Sequence, residues 1–206
     1  MNKNGIVIFG AGQFGGYLLE IINKTKEYRF LGFVDKIKKS KVICNDKYFE
    51  ENIETKFKNV SVLIGVQDQN LRNKIINFIE RYNINTPNII DNSVISAKSC
   101  KIGKGNVIGT NTVISNKVKI GNYNLIGTSV NILHNTKIYN NVIISGGTNV
   151  GANVRIHNNV FAGVGTTIAS GKIEIKRNSF VCAGSVVLKT VKSYSKVIGN
   201  PAREIL

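Results

Sequence analysis

The sequence predicts a small parallel α/β layer over residues 1–87 followed by a parallel β-solenoid over residues 88–206. Three observations carry this reading. Short apolar strand runs alternate with amphipathic helical runs in the first part, a glycine-rich turn joins the first strand to the first helix, and from Ile90 onward aliphatic residues recur at every sixth position.

The first strand is "GIVIFG" (5–10), and the helix after it, "QFGGYLLEIINKT" (13–25), places Phe14, Tyr17, Leu18, Ile21 and Ile22 at helical spacing. "FLGFVD" (30–35) and "VSVLIG" (60–65) are further strands. "QNLRNKIINFIERY" (69–82) is a second amphipathic helix with Leu71, Ile75, Ile76, Phe78 and Ile79 on its apolar side. These elements amount to about half of a doubly wound dinucleotide fold. The turn "GAGQFG" (10–15) fits G-x-G-x-x-G, and Asp35 stands at a strand end twenty residues beyond Gly15. A nicotinamide enzyme would need a second mononucleotide half, and the chain turns to hexads instead. The same turn suits the diphosphate of a nucleotide sugar, held on helix N–H groups.

In the second part the inward series runs Ile102, Ile108, Ile114, Ile120, Ile126, Ile132, Ile138, Ile144, Val150, Ile156, Ala162 and Ile168, and resumes after one extra residue at Ile175, Val181 and Val187. Glycine is frequent at the second hexad position and a small or β-branched residue at the fifth. Each hexad is one face of a triangular prism, so residues 18 apart stack at about 4.8 Å, with room for five to six coils.

The hexads, the closing "VIGNPAREI" (197–205) and the amino-terminal "IVIFGAG…FLGFVD…VLIG" together resemble the sugar acyltransferases of the PglD/NeuD type. The resemblance implies a Rossmann-like domain for a nucleotide-linked sugar, a left-handed parallel β-helix that binds acetyl-CoA, and a homotrimer with active sites between subunits. It implies that His134, in "LHN" (133–135), is the base that takes the proton from the attacking amine, a task neutral imidazole suits near pH 7. Asn135 follows where the family usually has Glu, so it offers a hydrogen bond to the ring and no charge. Nucleotide-sugar contacts are implied at Gly10, Gly12, Gln13, Phe14, Asp35, Lys36, Ile64 and Gly65, with Phe14 where the family often has His and Lys36 where it has a second acid. Acetyl-CoA contacts are implied at Ser145, Gly146, Gly147, Ala152, Val164, Lys189 and Pro201. The adjacent Gly146 and Gly147 are expected to leave amides open for the oxyanion.

The ordinary alternatives are weighed beside these. A lone histidine is often a surface residue, and His157, at a position where glycine is common, is expected to be one. Two histidines cannot supply the three ligands of the hexapeptide carbonic anhydrases, and no Cys or carboxylate is spaced to replace the third, so no metal is expected. Three scattered cysteines argue against a disulfide framework and for a reducing bacterial cytoplasm. Lys and Arg total 28 against 12 acidic residues, a net charge of +16, yet they form no nucleic-acid motif. Such a field favours anionic small ligands. No apolar run is long enough to span a membrane, and five glycines break the opening one.

The function expected is acetyl transfer from acetyl-CoA to a nucleotide-linked, UDP-borne amino sugar in bacterial surface-glycan synthesis. Two rivals stay open: O-acetylation of a sugar or sialic acid by the same histidine, and a catalytically silent solenoid that only binds a sugar nucleotide.

Overall fold

The computed structural model describes residues 4–205. The chain divides into two compact units, Met1–Ile89 and Ile90–Leu206.

In the first unit, β1 (Gly5–Phe9), α1 (Gln13–Thr25), β2 (Arg29–Val34), β3 (Val42–Cys44), α2 (Asp46–Glu51), β4 (Ser61–Ile64) and α3 (Gln69–Arg81) follow in order. The strands form one sheet in the order β3-β2-β1-β4, and each pairs parallel with its neighbour. The chain works outward through β2 and β3, then returns to the other side of β1. That reversal opens a crevice at the carboxyl ends of β1 and β4, where open α/β sheets take their ligands. Gly15 is required there, because a Cβ on it would run into the carbonyl of Gly10. The core is Ile6, Ile8, Leu18, Ile22, Phe49, Leu63 and Ile79, all essentially inaccessible to solvent.

Two elements were not expected. Neither a three-residue strand nor a six-residue helix is long enough to display a period, so β3 and α2 are silent in the hydrophobic pattern. The capping signal was nevertheless present: Asn45 precedes the helix and its side chain accepts from the Tyr48 amide at 2.8 Å.

The second unit is a left-handed parallel β-helix of stacked three-sided coils. Among the described residues its first face stacks eight strands, including Val107–Ile108, Leu125–Ile126 and Ile143–Ile144. The second face stacks six, from Ile95–Ser96 to Val186–Val187, and the third stacks five, from Lys101–Ile102 to Glu174–Ile175. The inward row is as expected, with Ile108, Ile126, Ile132, Ile144 and Ile156 fully buried. The extra residue is also where expected: Arg155 pairs with Glu174, nineteen residues on, instead of the usual eighteen.

The corners favour Gly or Asn, the residues a tight solenoid turn suits. The left-handed residue is the fourth of each hexad, most often Asn or Gly (Asn111, Asn135, Asn141, Gly147, Asn153, Asn159 and Gly165), but also Lys117, Tyr123 and Ser129. Asn and Gly tolerate that conformation best. Glycine at the second position answers a different need, since a Cβ on Gly151 would collide with the backbone of Ser170 on the next coil. Buried threonines at the fifth position donate inward, as Thr136 does to the Gly151 carbonyl at 2.8 Å.

Candidate active site

His134 follows strand Asn131–Ile132 and stands exposed on the edge between the second and third faces. Asn135, at φ +60°, is the left-handed corner residue of that edge. Its Nδ2 lies 3.0 Å from Nδ1 of His134. With the amide NH2 toward the ring, Nδ1 accepts and a neutral imidazole carries its proton on Nε2. With the carboxamide turned over, Oδ1 accepts from Nδ1–H and Nε2 holds a free lone pair, the form a base requires.

The second unit holds three carboxylates, Asp91, Glu174 and Glu204, and none of them orients this ring. Asp91 is buried and accepts from the amide and hydroxyl of Ser93. Glu174 accepts from Arg155 and pairs with His157, each at 3.1 Å, and Glu204 lies 3.8 Å from Lys192. The hydrogen bond from Arg155, then that from His157, holds the Glu174 carboxyl below the usual range. His157 is therefore more than a surface corner residue: it stacks on Tyr139 at 4.9 Å between centroids and is only part-exposed.

Above His134 the edge continues through small side chains to a cation. Ala152, eighteen residues on, is buried, and Ser170 Oγ accepts its amide at 3.0 Å. The registers Thr167↔Val186 and Ile168↔Val187 stack Lys189 on Ser170. His134, Ala152, Ser170 and Lys189 thus share one edge over three coils, about 14 Å at strand spacing.

The other expected donor contacts lie elsewhere. Ser145, Gly146, Gly147 and Val164 belong to the edge between the first and second faces, where Gly165 donates to the Gly146 carbonyl. The expectation of two open amides needs correcting. The Gly147 N–H donates to the Thr128 carbonyl at 2.9 Å, so only that of Gly146 has no partner among the described residues. Pro201 sits in the loop between strands Lys196–Ile198 and Arg203–Ile205, tied to the second face by the amide of Ala202 donating to Val186.

In the first unit a cavity of about 560 Å³ opens at the crevice, lined by Phe9, Gly10, Asp35 and Lys36 among others. Asp35 braces the glycine turn: Oδ2 accepts from the Ala11 amide at 2.7 Å and Oδ1 from that of Ile37 at 2.9 Å. Burial alone would raise its pKa, but these bonds and Lys39 outweigh it and bring the carboxyl below its ordinary value.

The other expected contacts divide. Gly12, Gln13 and Phe14 cap and begin α1 and do not line this cavity. Ile64 is buried and the Gly65 amide donates to Phe9, so both are framework; the next residue, Val66, reaches the cavity. Arg72 holds the Val66 carbonyl at 3.0 Å, and its burial lowers the guanidinium pKa to about 10. The residues missed from sequence are Asp46 and Glu50 on α2 and Lys74 and Phe78 on α3, which complete the wall. Among the described residues no three His, Cys, Asp or Glu side chains are grouped to hold a metal, and no helix is long and apolar enough to cross a membrane.

Comparison with known proteins agrees with this architecture. Residues 5–79 match the family model described as the PglD N-terminal domain. No curated protein matches the sequence. Among solved structures, the acetyltransferase domain of PglB from Neisseria gonorrhoeae FA1090 superposes with a TM-score of 0.91 at 20% identity, covering 98% of this chain and 100% of that one. PerB from Caulobacter crescentus, solved with CoA and GDP-perosamine, gives 0.89 at 22% identity, covering 98% and 97%. WeeI from Acinetobacter baumannii AYE gives 0.87 at 21%, covering 97% and 99%.

Proposed function

We propose that this chain, which joins a PglD-type amino-terminal domain to a left-handed β-helix, is an acetyl-CoA-dependent N-acetyltransferase acting on a nucleotide-linked amino sugar in bacterial surface-glycan synthesis in the cytoplasm. The observation that carries the reading is the edge on which His134, its ring met by Asn135, is followed by Ala152, Ser170 and Lys189. A base at one end, small side chains above it and a cation about 14 Å away suit a thioester on a long arm that ends in phosphates.

The neutral sugar amine attacks the thioester carbon, and His134 Nε2 takes the proton as the C–N bond forms. The C–S bond then breaks, and the imidazolium returns the proton to the departing CoA thiolate. No covalent enzyme intermediate is needed. Gly146 and Val164 stand on the other edge of the second face, so their part in the site calls for a homotrimer in which that edge of one subunit meets the His134 edge of the next. The Gly146 amide then serves as the oxyanion donor. The nucleoside occupies the crevice cavity of the first unit, with Asp35 and Lys36 at the rim. UDP is the carrier expected; PerB was solved with a GDP-linked amino sugar.

The test is thiol release from acetyl-CoA against UDP-, dTDP- and GDP-linked amino sugars, wild type beside His134→Ala. Turnover with one of them, lost by at least 1,000-fold in the variant while CoA and nucleotide still bind, is the expected result (roughly the scale of general-base loss). Silence across amino acceptors with turnover of hydroxyl acceptors would move the reading to O-acetylation. Silence throughout, with no CoA binding, would leave a scaffold.

A further inference from the structure

Two substrates must meet at His134, and the β-helix has a hollow on each side of that edge. On the second-face side, a hollow of about 250 Å³ is lined by uncharged groups, among them Asn131, Leu133, Gly151, Thr167 and Ser170. On the third-face side, one of about 500 Å³ begins at Asn135 and is lined by Lys137, Arg155, Lys172 and Glu174. One hollow is neutral, and the other sets three cations against one carboxylate.

The cationic hollow has a structural origin. Lys137 and Arg155 are register partners on adjacent coils, and the row runs on below through Lys119 and Lys101. Like charges at that spacing repel, and Glu174, already shared with His157, offsets only one of them. The extra residue of the next coil adds a third cation: the Gly171 amide donates to the Ala152 carbonyl at 2.8 Å, and exposed Lys172 lies at the lip.

Distance decides which substrate this charge serves. The phosphates of the acyl donor lie a pantetheine arm away from its thioester, and Lys189 stands about 14 Å up the edge for them. Lys137 is on the His134 coil and Arg155 one coil above, within about 5 Å along the axis. An anion held there belongs to the acceptor. We infer that Lys137, Arg155 and Lys172 form an acceptor subsite for an anion carried within about one sugar ring of the reacting nitrogen, either the nucleotide's diphosphate or a carboxylate on the sugar itself. Arg155 supplies a planar fork suited to both groups. The assignment of this anion to an acceptor rests on the acetyl-transfer reading; the existence of the anion site does not.

The test begins with binding, measured by calorimetry on the full chain with inorganic pyrophosphate and with glucuronate as probes. The Lys137→Gln/Arg155→Gln/Lys172→Gln variant is expected to lose at least tenfold in affinity for one of them, with its thermal melt unchanged. Lys172→Gln alone, on an exposed loop, serves if the triple variant does not fold, with a loss of about threefold. Unchanged binding of both probes overturns the inference whatever reaction the chain catalyses. Reduced binding without turnover of any amino sugar leaves the anion site standing and removes the acetyl-transfer reading.

With turnover in hand, the acceptor KM is expected to rise at least tenfold while the acetyl-CoA KM stays within twofold. A rise confined to acetyl-CoA overturns the inference, because the hollow would then hold the donor's phosphates. Equal losses for neutral and uronic nucleotide-linked acceptors identify the diphosphate; a loss confined to the uronic acceptor identifies the carboxylate.

Discussion

Asn135 is constrained twice, once by the backbone and once by the ring beside it. Its φ of +60° is the corner requirement that Asn111, Asn153 and Asn159 also meet, and its carboxamide reaches His134 Nδ1. The substitution that separates the two is Asn135→Gly, which accepts the left-handed corner without strain and deletes the carboxamide. It is expected to leave the melting temperature unchanged and to lower kcat about tenfold, roughly one hydrogen bond to a charged group, with KM steady. Asn135→Asp keeps a corner-tolerant side chain and adds a charge that favours the imidazolium, so the acid limb of the pH–rate profile moves to higher pH, by about one unit. Wild-type kcat in Asn135→Gly, or an unmoved limb in Asn135→Asp, would refute the orienting role. His134 was picked out as a candidate by its place in "LHN" amid a regular repeat, where the resemblance puts a base. Asn135 was read beside it as a hydrogen-bonding partner of the ring; what sequence did not show is the left-handed corner that explains why Asn belongs there.

At the scale of elements, legibility followed repetition. The hexads announce their own register, including the single slip before Ile175, because every sixth residue meets the same interior. The short strand β3 and helix α2 carry no period, and the cavity residues Asp46 and Glu50 went unseen with them. The turn between β1 and α1 was read from its glycines together with Asp35 at the strand end, and the structure adds how the two are joined: Asp35 ties the turn to the end of β2 through the Ala11 amide. That bond makes a prediction with a definite sign. The Asp35 carboxyl is depressed in the folded chain, so its contribution is complete above the ordinary carboxylate range near pH 4 and is lost as pH falls through the folded value below it. Asp35→Asn is expected to cost about 1–2 kcal/mol at neutral pH, as for loss of a charge-assisted bond. The gap between variant and wild type in urea unfolding should close as pH falls to where the folded carboxyl takes up its proton, below its ordinary value. A gap that stayed constant down to that pH would mean the carboxylate charge contributes nothing.

At the scale of the molecule, the outward residues give the three faces of the β-helix different characters. The third face carries Lys101, Lys119, Lys137 and Arg155 in one column. The first carries Val107, Leu125 and Ile143, already buried. The second stacks Ile95 on Val113, with Ile95 67% exposed, and Leu133, Val164 (63% exposed) and Leu188 stand at its two edges. Exposed apolar side chains grouped in this way mark a contact site, and the proposed homotrimer makes a second copy its occupant, which also resolves the split of the donor residues between two edges. Val113→Lys with Leu188→Lys places charges in that contact without touching the buried row. Sedimentation should then show the 22.6 kDa chain as a monomer where the wild type sediments as a trimer. Acetyl transfer should fall by at least 100-fold as the two edges separate, about the scale of a lost positioning contact, while nucleotide binding to the first unit is retained. A monomeric variant with full activity would show that one chain holds the whole site, and Gly146 and Val164 would leave the mechanism.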